Sequence, residues 1–304
     1  MDRRKIPNTD LEVSSICLGT MTFGTPVGEA EAVKLTHWAI DHGINFIDTA
    51  NMYEDYTRYI SSPNSVTKQI LEMTLQDKRD QVVVATKVGM KIGPAEDDQG
   101  LSRKHVLREI DRSLSRLQCE YVDLYYVHKP DPDTPLAESV QAFNDLINVG
   151  KVRYWAISNF SAEQISDVLS VCDENGWRRP VALQPHYSLL KRDIEKDVLP
   201  SCQREQIAVV PYRVLEGGLL TGKYRRGQAV PTDSRQVEKP DWTLELTGEM
   251  YDRLEQIEAE ARAKGRTLMQ HALMTLLEQP AVVSLIVGAK RIGQLEDLIA
   301  AVEL

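Results

Sequence analysis

Short runs of apolar, often β-branched residues alternate with amphipathic stretches along this chain, and this alternation limits the possible folds more than any other feature. After a predicted hairpin near the N-terminus, we identify eight such runs, at residues 15–19, 44–48, 82–87, 122–128, 152–158, 181–184, 207–212 and 284–288. Parallel strands need a crossover connection, which is usually a helix. Eight repeats of strand and helix therefore predict a closed (β/α)8 TIM barrel with an N-terminal β-hairpin, formed by one domain over residues 1–304.

Two connections carry signals for a helix that starts directly after a strand. Apolar residues recur at helical spacing behind Thr134 and Pro135, which we interpret as a cap residue followed by proline at the first helical position. Ser161 and Gln164 have the spacing of a capping box. Only residues 216–246 do not fit the repeat, since they are long, polar and rich in Gly, Pro and Arg. We predict a long loop after the seventh strand that clamps a ligand.

Composition and charge exclude several classes of protein. A net charge of -9 argues against a partner such as nucleic acid or a membrane surface, although a basic pocket for a phosphorylated small molecule is compatible with it. The N-terminal residues lack the apolar stretch of a signal peptide. The cysteines lie far apart without a Cys-x-x-Cys pair, at Cys17, Cys119, Cys172 and Cys202. These features predict a cytoplasmic protein with reduced cysteines, and they leave its oligomeric state open.

Polar residues close the predicted strands, which is where a TIM barrel carries its active site. Asp48, Lys87 and His128 end three apolar runs, and Tyr53 follows Asp48 by five positions. Further polar residues at predicted strand ends are Thr20, Ser158, Asn159, Gln184, Tyr212 and residues 288–291. For any single residue a structural role stays open, such as an ion pair between Asp48 and Lys87. The convergence of four such residues at one mouth favours catalysis.

The chemistry of these four residues suits proton donation to a carbonyl oxygen. Tyrosine, with an ordinary pKa of about 10, is a weak acid near neutral pH unless a cation stabilises its phenolate. Lys87 is a suitable cation, Asp48 would hold its ammonium in place, and His128 would position the carbonyl oxygen. None of the four reduces carbon, so the hydride must come from a nicotinamide cofactor.

The sequence resembles the aldo-keto reductase family from about residue 11 to residue 302. The matching segments are 18–21, 45–53, 85–87, 123–128, 150–153, 157–160 and 217–224. The resemblance implies that Asp48, Tyr53, Lys87 and His128 are a catalytic tetrad, with Tyr53 as the general acid in carbonyl reduction. It also implies NADPH (NADP+) bound in an extended conformation over the barrel, without a Rossmann domain.

The same resemblance implies a cofactor site. Ser158, Asn159 and Gln184 would bind the nicotinamide carboxamide, and Tyr212 would stack on its ring. The full set of expected cofactor residues is Thr20, Met21, Ser158, Asn159, Gln184, Tyr212, Arg213, Leu215, Gly217, Lys223, Arg235, Gly288, Lys290, Arg291, Gln294 and Asp297. The basic pair at 290–291, at the start of the last predicted helix, favours NADPH over NADH. Arg235 is equally compatible with a solvated loop charge.

The sequence departs from the family pattern at several positions. Arg213 stands where the family usually has serine, and we predict that it binds the cofactor's phosphate or, alternatively, enters the substrate pocket. Leu298 replaces an asparagine expected near adenine. Residues 54–64 form a longer and more polar connection than usual. Within it Tyr56 and Arg58, together with Lys129, are the predicted substrate residues, and they favour a polar, hydroxylated or anionic carbonyl compound such as a sugar derivative, unless the charges face water.

Three other interpretations fit parts of the sequence. The family resemblance extends to the beta subunits of potassium channels, so a nucleotide-sensing regulatory subunit is the alternative function. Residues 217–223 have the spacing of a P-loop, but Tyr224 stands where that motif needs Ser or Thr. A metal-dependent hydrolase is disfavoured because none of the six histidines forms a His-x-His or His-Glu-x-x-His motif. His186, two residues after Gln184, is either a site residue or a loop histidine.

Overall fold

The computed structural model describes residues 1–53 and 66–303, and within them eight parallel strands form one curled sheet with helices in the connections. The strands are β1 (Arg3–Lys5), β2 (Glu12–Ser14), β3 (Ile16–Gly19), β4 (Phe46–Asp48), β5 (Val83–Val88), β6 (Val122–Val127), β7 (Val152–Ser158), β8 (Ala182–Gln184), β9 (Ala208–Val209) and β10 (Leu285–Val287). In the sheet β10 pairs with β3, and the order then follows the chain to β9. A parallel bridge between Val209 and Val282 joins the two ends. The predicted (β/α)8 fold and its N-terminal hairpin are confirmed.

Helices follow the strands as the alternation predicts. They are α1 (Glu29–Asp41), α2 (Val66–Leu75), α3 (Arg103–Leu117), α4 (Leu136–Asn148), α5 (Ala162–Asn175), α6 (Val198–Arg204), α7 (Arg235–Glu238), α8 (Gly248–Ala263), α9 (Leu268–Leu277) and α10 (Ile292–Val302). None of the helices in the described residues has both the length and the apolar character needed to cross a membrane. The predicted long loop after β9 contains short regular elements, namely α7 and two 3-10 turns, Glu216–Thr221 and Pro240–Trp242.

One predicted helix start is confirmed and the other is wrong in detail. Ser161 accepts a hydrogen bond from the Gln164 backbone N–H and Gln164 accepts one from the Ser161 N–H, which is the predicted capping box of α5. In α4, however, Pro135 occupies the N-cap and Thr134 does not cap the helix. Thr134 instead donates its hydroxyl to the Asp131 carboxylate at 2.7 Å, because a charged acceptor lies within reach three residues earlier.

The hairpin β1–β2 closes one end of the barrel interior. Ile6, Leu11 and Val13 are buried with the inward side chains of the sheet, which include Phe46 and Tyr126. A second, larger core fills the space between the strands and the helices. Asn45, just before β4, ties the hairpin to this end, since its side chain donates to the Glu12 carbonyl at 2.8 Å and accepts from the Ser14 N–H at 2.7 Å. The carboxyl ends of the strands therefore open at the opposite end of the barrel.

Candidate active site

Asp48 and Lys87 enter the barrel interior because of the alternation of side chains along a strand. Asp48 is the last residue of β4 and shares the face of Phe46, while Lys87 in β5 shares the face of Val83 and Ala85. Both charged side chains are almost fully buried, with Lys87 0% and Asp48 2% exposed. Charges buried this deeply need partners, and the two residues supply them to each other.

The Lys87 ammonium has three acceptors for its three hydrogens. It is paired with the Asp48 carboxylate and donates to the Thr49 carbonyl at 2.9 Å and to the Tyr53 hydroxyl at 3.0 Å. Burial disfavours the ammonium, but its attraction to Asp48 and Tyr53 outweighs burial and raises the pKa of Lys87 above its usual value. The cation next to the Tyr53 hydroxyl is therefore permanent at neutral pH.

Neighbouring strand ends hold the Asp48 carboxylate in place. Its second oxygen accepts a hydrogen bond from the Gln184 side chain at 2.9 Å. Its backbone carbonyl accepts from the Thr20 hydroxyl at 2.9 Å and from the Thr20 N–H at 3.0 Å. Thr20 and Gln184, which the sequence assigns to the cofactor, thus also orient the ion pair.

Tyr53 and His128 stand together at the open end of the barrel. Their ring centroids are 6.3 Å apart, and the ring planes meet at 83°. Tyr53 follows β4, and His128 follows β6, where its backbone N–H donates to the Val88 carbonyl at 2.8 Å. Both side chains are half-buried, in contrast to the closed ion pair beneath them. The four predicted tetrad residues therefore lie in one cluster, with the phenol between the buried cation and the imidazole.

The predicted nicotinamide residues form a connected group beside His128. Asn159 donates to the His128 carbonyl and to the Ser158 hydroxyl, both at 3.0 Å, and accepts from the Tyr212 hydroxyl at 2.9 Å. Ser158 donates to the Gln184 carbonyl at 2.7 Å. Asn159 has a left-handed φ of 64°, a conformation that asparagine adopts more readily than most residues. The group presents amide edges and one aromatic ring next to the tetrad.

The predicted phosphate residues form a second, cationic group. Lys290, just before α10, pairs with Glu238 and donates to the Asp233 carbonyl at 2.9 Å, and Arg291 pairs with the Asp233 carboxylate at 3.2 Å. These contacts join the start of α10 to the segment around α7. Desolvation lowers the pKa of Lys223; Asp233 and Glu238 oppose this shift, and the Lys290 and Arg291 cations add to it. Three cations, Lys223, Lys290 and Arg291, therefore lie around two carboxylates, Asp233 and Glu238.

Two glycines make a tight turn within this group. Gly217 and Gly218 have φ values of 62° and 98°, which most side chains avoid. A Cβ on Gly218 would lie 2.9 Å from the Lys223 side chain. The turn therefore keeps the backbone close to the Lys223 ammonium, as a phosphate cradle requires.

The remaining predicted residues have varied positions. Tyr56 and Arg58 lie outside the described residues. Lys129, Gly288 and Asp297 are exposed, whereas Met21 and Leu215 are half-buried. The Gln294 side chain accepts from the Lys290 N–H at 2.7 Å. Leu298 is buried in the core between the strands and the helices, so that position offers only an apolar side chain.

Sequence reasoning missed a buried carboxylate next to this site. Glu216 is 1% exposed, pairs with His186 Nε2 and accepts from the Ser188 hydroxyl at 2.9 Å. The His186 ring stacks on the Tyr212 ring at 5.5 Å between centroids. The sequence indicates that His186 could belong to the site, since it follows the predicted site residue Gln184 by two positions. No sequence feature indicates this for Glu216, because a glutamate in a polar loop is normally solvated.

Comparison with known proteins extends these observations to the whole chain. The sequence profile described as the Aldo/keto reductase family matches residues 15–304. A protein of Arabidopsis thaliana named "Probable voltage-gated potassium channel subunit beta" is 32% identical over 311 residues, covering 100% of this chain and 92% of the relative. Aldo-keto reductase YhdN of Bacillus subtilis is 32% identical, covering 98% of this chain and 88% of the relative. L-glyceraldehyde 3-phosphate reductase of Escherichia coli is 33% identical, covering 99% and 87%.

Proposed function

This chain belongs to the aldo/keto reductase family and is an oxidoreductase, and from this premise we propose that it reduces an aldehyde or ketone to the alcohol with NADPH. The family generally uses NAD(P)H. The observation that carries the proposal is the fully buried Lys87 ammonium, which is paired with Asp48 and donates to the Tyr53 hydroxyl at 3.0 Å.

Tyr53 is the proposed general acid, and it gives its hydroxyl proton to the alkoxide that forms from the carbonyl group. Lys87 stabilises the resulting phenolate by charge and by its hydrogen bond. Lys87 is not itself the acid, because it is 0% exposed and cannot reach a substrate. Asp48 keeps the ammonium charged and directed at the phenol.

His128 is the proposed orienting residue. Its ring lies edge-on to the Tyr53 ring on the open side of the cluster. From there an imidazole N–H would donate to the carbonyl oxygen, hold it near the phenol and polarise the C=O bond. The substrate oxygen would thus be held by two side chains, of which only Tyr53 transfers a proton.

The donor set around the tetrad fits a nicotinamide dinucleotide. Amide edges and the Tyr212 ring suit a nicotinamide, and the turn at Gly217 and Gly218 with Lys223 suits a pyrophosphate. The cations at the start of α10 suit a third phosphate, which favours NADPH over NADH. When bound, the reduced nicotinamide supplies the hydride. The proposed cofactor residues are Thr20, Met21, Ser158, Asn159, Gln184, Tyr212, Leu215, Gly217, Lys223, Arg235, Gly288, Lys290, Arg291, Gln294 and Asp297. Arg213, which the sequence also assigns to the cofactor, is left out of this set because its guanidinium donates to the Trp242 carbonyl and pairs with Glu216.

The proposed substrate is a small polar or anionic carbonyl compound. Lys129 follows His128 directly and is exposed, so its ammonium is available at the mouth of the barrel. Tyr56 and Arg58 are proposed to contribute from outside the described residues. The relative named L-glyceraldehyde 3-phosphate reductase makes a phosphorylated sugar aldehyde a suitable first compound. A panel of sugar aldehydes, ketoacids and large apolar ketones tests this, and a clear preference for the apolar ketones would contradict it.

The central test is Tyr53→Phe, assayed by the absorbance of NADPH during carbonyl reduction. Loss of the acid should lower turnover by about 10²–10⁴-fold. Binding of NADPH, measured by fluorescence titration, should persist. Tyr154→Phe is the matched control, because it removes a phenol that hydrogen-bonds Asp10 away from the tetrad and should leave turnover unchanged. Wild-type turnover in Tyr53→Phe would remove Tyr53 from the proposed role.

The alternative, a nucleotide-sensing regulatory subunit, is not favoured. The relatives named as potassium channel beta subunits are members of the same family, so their similarity does not distinguish the two functions. The intact tetrad leaves both roles possible, and measured turnover of a carbonyl compound would favour the enzyme. A metal-dependent hydrolase has no support either, because no group of three potential metal ligands occurs in the described part of the chain.

A further inference from the structure

The Arg213 side chain joins the two ends of the long segment that follows β9. Its Nη2 donates to the Trp242 carbonyl at 2.5 Å, and its Nε lies 3.4 Å from Glu216 Oε2. Trp242 ends the second 3-10 turn of the segment, and Glu216 begins the first. The same ends also touch beside the arginine, since a Cβ on Gly217 would lie 3.1 Å from the Thr243 side chain. One guanidinium thus closes the segment into a loop.

Glu216 anchors this closure to the barrel. Its Oε1 pairs with His186 and accepts from Ser188, both of which follow β8. Its Oε2 is buried and makes no hydrogen bond within residues 1–53 and 66–303, so the Arg213 ion pair compensates that oxygen. A buried carboxylate that loses its cation is strongly destabilised. Arg213 and Glu216 therefore depend on each other.

The backbone is folded to bring these two residues together. Arg213 and Glu216 have φ values of 58° and 46°, in the left-handed region that residues with a Cβ rarely adopt. Such conformations persist only where the surrounding contacts impose them. A hydrogen bond of 2.8 Å from the Glu216 N–H to the Arg213 carbonyl closes the turn between them.

The closure continues into the predicted nicotinamide group. Glu216 holds His186, the His186 ring stacks on the Tyr212 ring, and the Tyr212 hydroxyl donates to Asn159. A change in the position of Glu216 would therefore be transmitted to the aromatic ring on which the nicotinamide is proposed to stack.

We propose that Arg213 and Glu216 form a staple that holds residues 213–243 closed over the bound cofactor and, through His186, positions Tyr212. The staple takes the place of the phosphate contact that the sequence predicts for Arg213, because the guanidinium is directed at Trp242 and Glu216. The proposal rests on the proposed function for the identity of the ligand, but the staple is a property of the protein alone.

The first experiment is hydrogen exchange on the protein without added nucleotide. Arg213→Gln removes the guanidinium that donates to the Trp242 carbonyl, and Glu216→Gln removes the ion pair with Arg213. Either loss should make backbone exchange within residues 213–243 about 10- to 100-fold faster. Arg204→Gln is the matched control, since its exposed guanidinium contacts Glu205 outside the segment, and it should match the wild type. Unchanged exchange in both staple variants would overturn the proposal.

The second experiment distinguishes a staple from a phosphate ligand by whether Glu216→Gln makes NADPH release faster or slower. NADPH is displaced from each protein, and its release is followed by stopped-flow fluorescence. If Glu216 is part of a staple, Glu216→Gln should release NADPH faster, as Arg213→Gln does. If Arg213 binds phosphate directly, removing the competing carboxylate should instead slow release, and that result would overturn the proposal.

Arg213→Lys serves where Glu216→Gln fails to fold. A lysine keeps the charge for a phosphate contact but lacks the planar fork that spans Glu216 and the Trp242 carbonyl. The staple predicts fast release and fast exchange in this variant, while near wild-type values for both would count against it. Failure of the wild type to bind NADPH, with faster exchange still present in the variants, would overturn the proposed function and leave the staple supported.

Discussion

Two buried aspartates of the same sheet, Asp48 and Asp123, have opposite surroundings. Asp123, the second residue of β6, accepts from the Val84 N–H at 2.9 Å and pairs with Arg79 and Arg153, each at 2.8 Å. Asp48, the last residue of β4, pairs with Lys87 and accepts from Gln184. Each carboxylate is compensated, but the cations differ in what else they contact.

The difference shows how similar ion pairs acquire different roles. An arginine keeps its proton under any ordinary condition, so the contacts of Asp123 can only hold strands together. Lys87 gives one of its three hydrogens to the Tyr53 hydroxyl, and it therefore couples Asp48 to a group that can release a proton. The position of each aspartate along its strand decides which role it has. Residues at the carboxyl ends of barrel strands contribute to catalysis, and residues at the amino ends contribute to stability.

The largest expected effect is a difference in turnover between variants of the two cations, Lys87 and Arg153. In Lys87→Met the Tyr53 phenolate loses its stabilising charge, and turnover should fall by about 10²–10⁴-fold. Arg153→Met removes a cation from the other aspartate and should leave turnover unchanged, because Arg153 does not contact the tetrad. Steady-state kinetics on both variants, with circular dichroism to confirm folding, checks the contrast. Equal losses in the two variants would show that the two pairs do not differ as described.

The second effect should appear in stability and not in turnover. In Asp123→Asn two arginines lose a buried carboxylate, and the free energy of unfolding should fall by about 3 kcal/mol, the lower end for broken buried ion pairs, because Arg153 is one-third exposed. Urea denaturation measures this. Asp111→Asn is the control, since its exposed pair with Lys151 should contribute less than about 1 kcal/mol. A large loss of turnover per folded molecule in Asp123→Asn would contradict a purely structural role.

The third effect concerns pH. The pKa of Lys87 is raised by Asp48 and Tyr53 in spite of burial, so it lies above the unfolded value of 10.5. The stability contributed by this shift is present in full below pH 10.5 and is lost as the pH rises through the folded pKa. The comparison uses the double variant Asp48→Asn/Lys87→Met, which leaves no unpaired carboxylate. Its difference in unfolding free energy from the wild type should stay constant from about pH 6 to 9 and narrow above about pH 9. Narrowing already at neutral pH would mean that the ammonium is not held charged.

The smallest effect should come from the exposed end of the Asp123 cluster. Asp10 accepts hydrogen bonds from Tyr154 and Arg153, which keep its pKa below the usual value although burial acts to raise it. Its contribution is present above pH 3.8 and is lost as the pH falls through the folded pKa. Because the site is largely exposed, Asp10→Asn should change the unfolding free energy by less than about 1 kcal/mol in urea denaturation. A larger loss would indicate that Asp10 and Asp123 act as one unit.

The strands show where local patterns suffice and where they do not. Residues 152–158 were predicted as a strand and form β7 with the same limits, because this run is continuous and a capping box follows it. The run at 207–212 was predicted too long, since β9 covers only Ala208–Val209. Pro211 interrupts that run and Pro185 lies opposite its end, and neither has an N–H to donate to a ladder.

Some residues of the candidate site were also predictable from the local sequence, and others were not. Asp48, Lys87 and His128 were predicted because each closes an apolar run, a feature of the local sequence. Glu216 and the contact of Arg213 with Trp242 were not predicted, because nothing in a polar loop indicates which of its residues will be buried. Thr134 does not cap α4 for a similar reason. Its hydroxyl donates to the Asp131 carboxylate, and the fold of the connection brings the two together.

The sequence by itself determined the order of strands and helices and the residues that reach the carboxyl ends of the strands, because periodicity and capping act over a few neighbouring residues. Only the tertiary structure decided which buried charge faces which partner. Asp123 of β6 meets Arg79 from the turn before β5 and Arg153 from β7, and Glu216 meets His186 from the connection after β8. The free energy of a buried charge depends on every group packed around it, and the fold assembles those groups from distant parts of the chain.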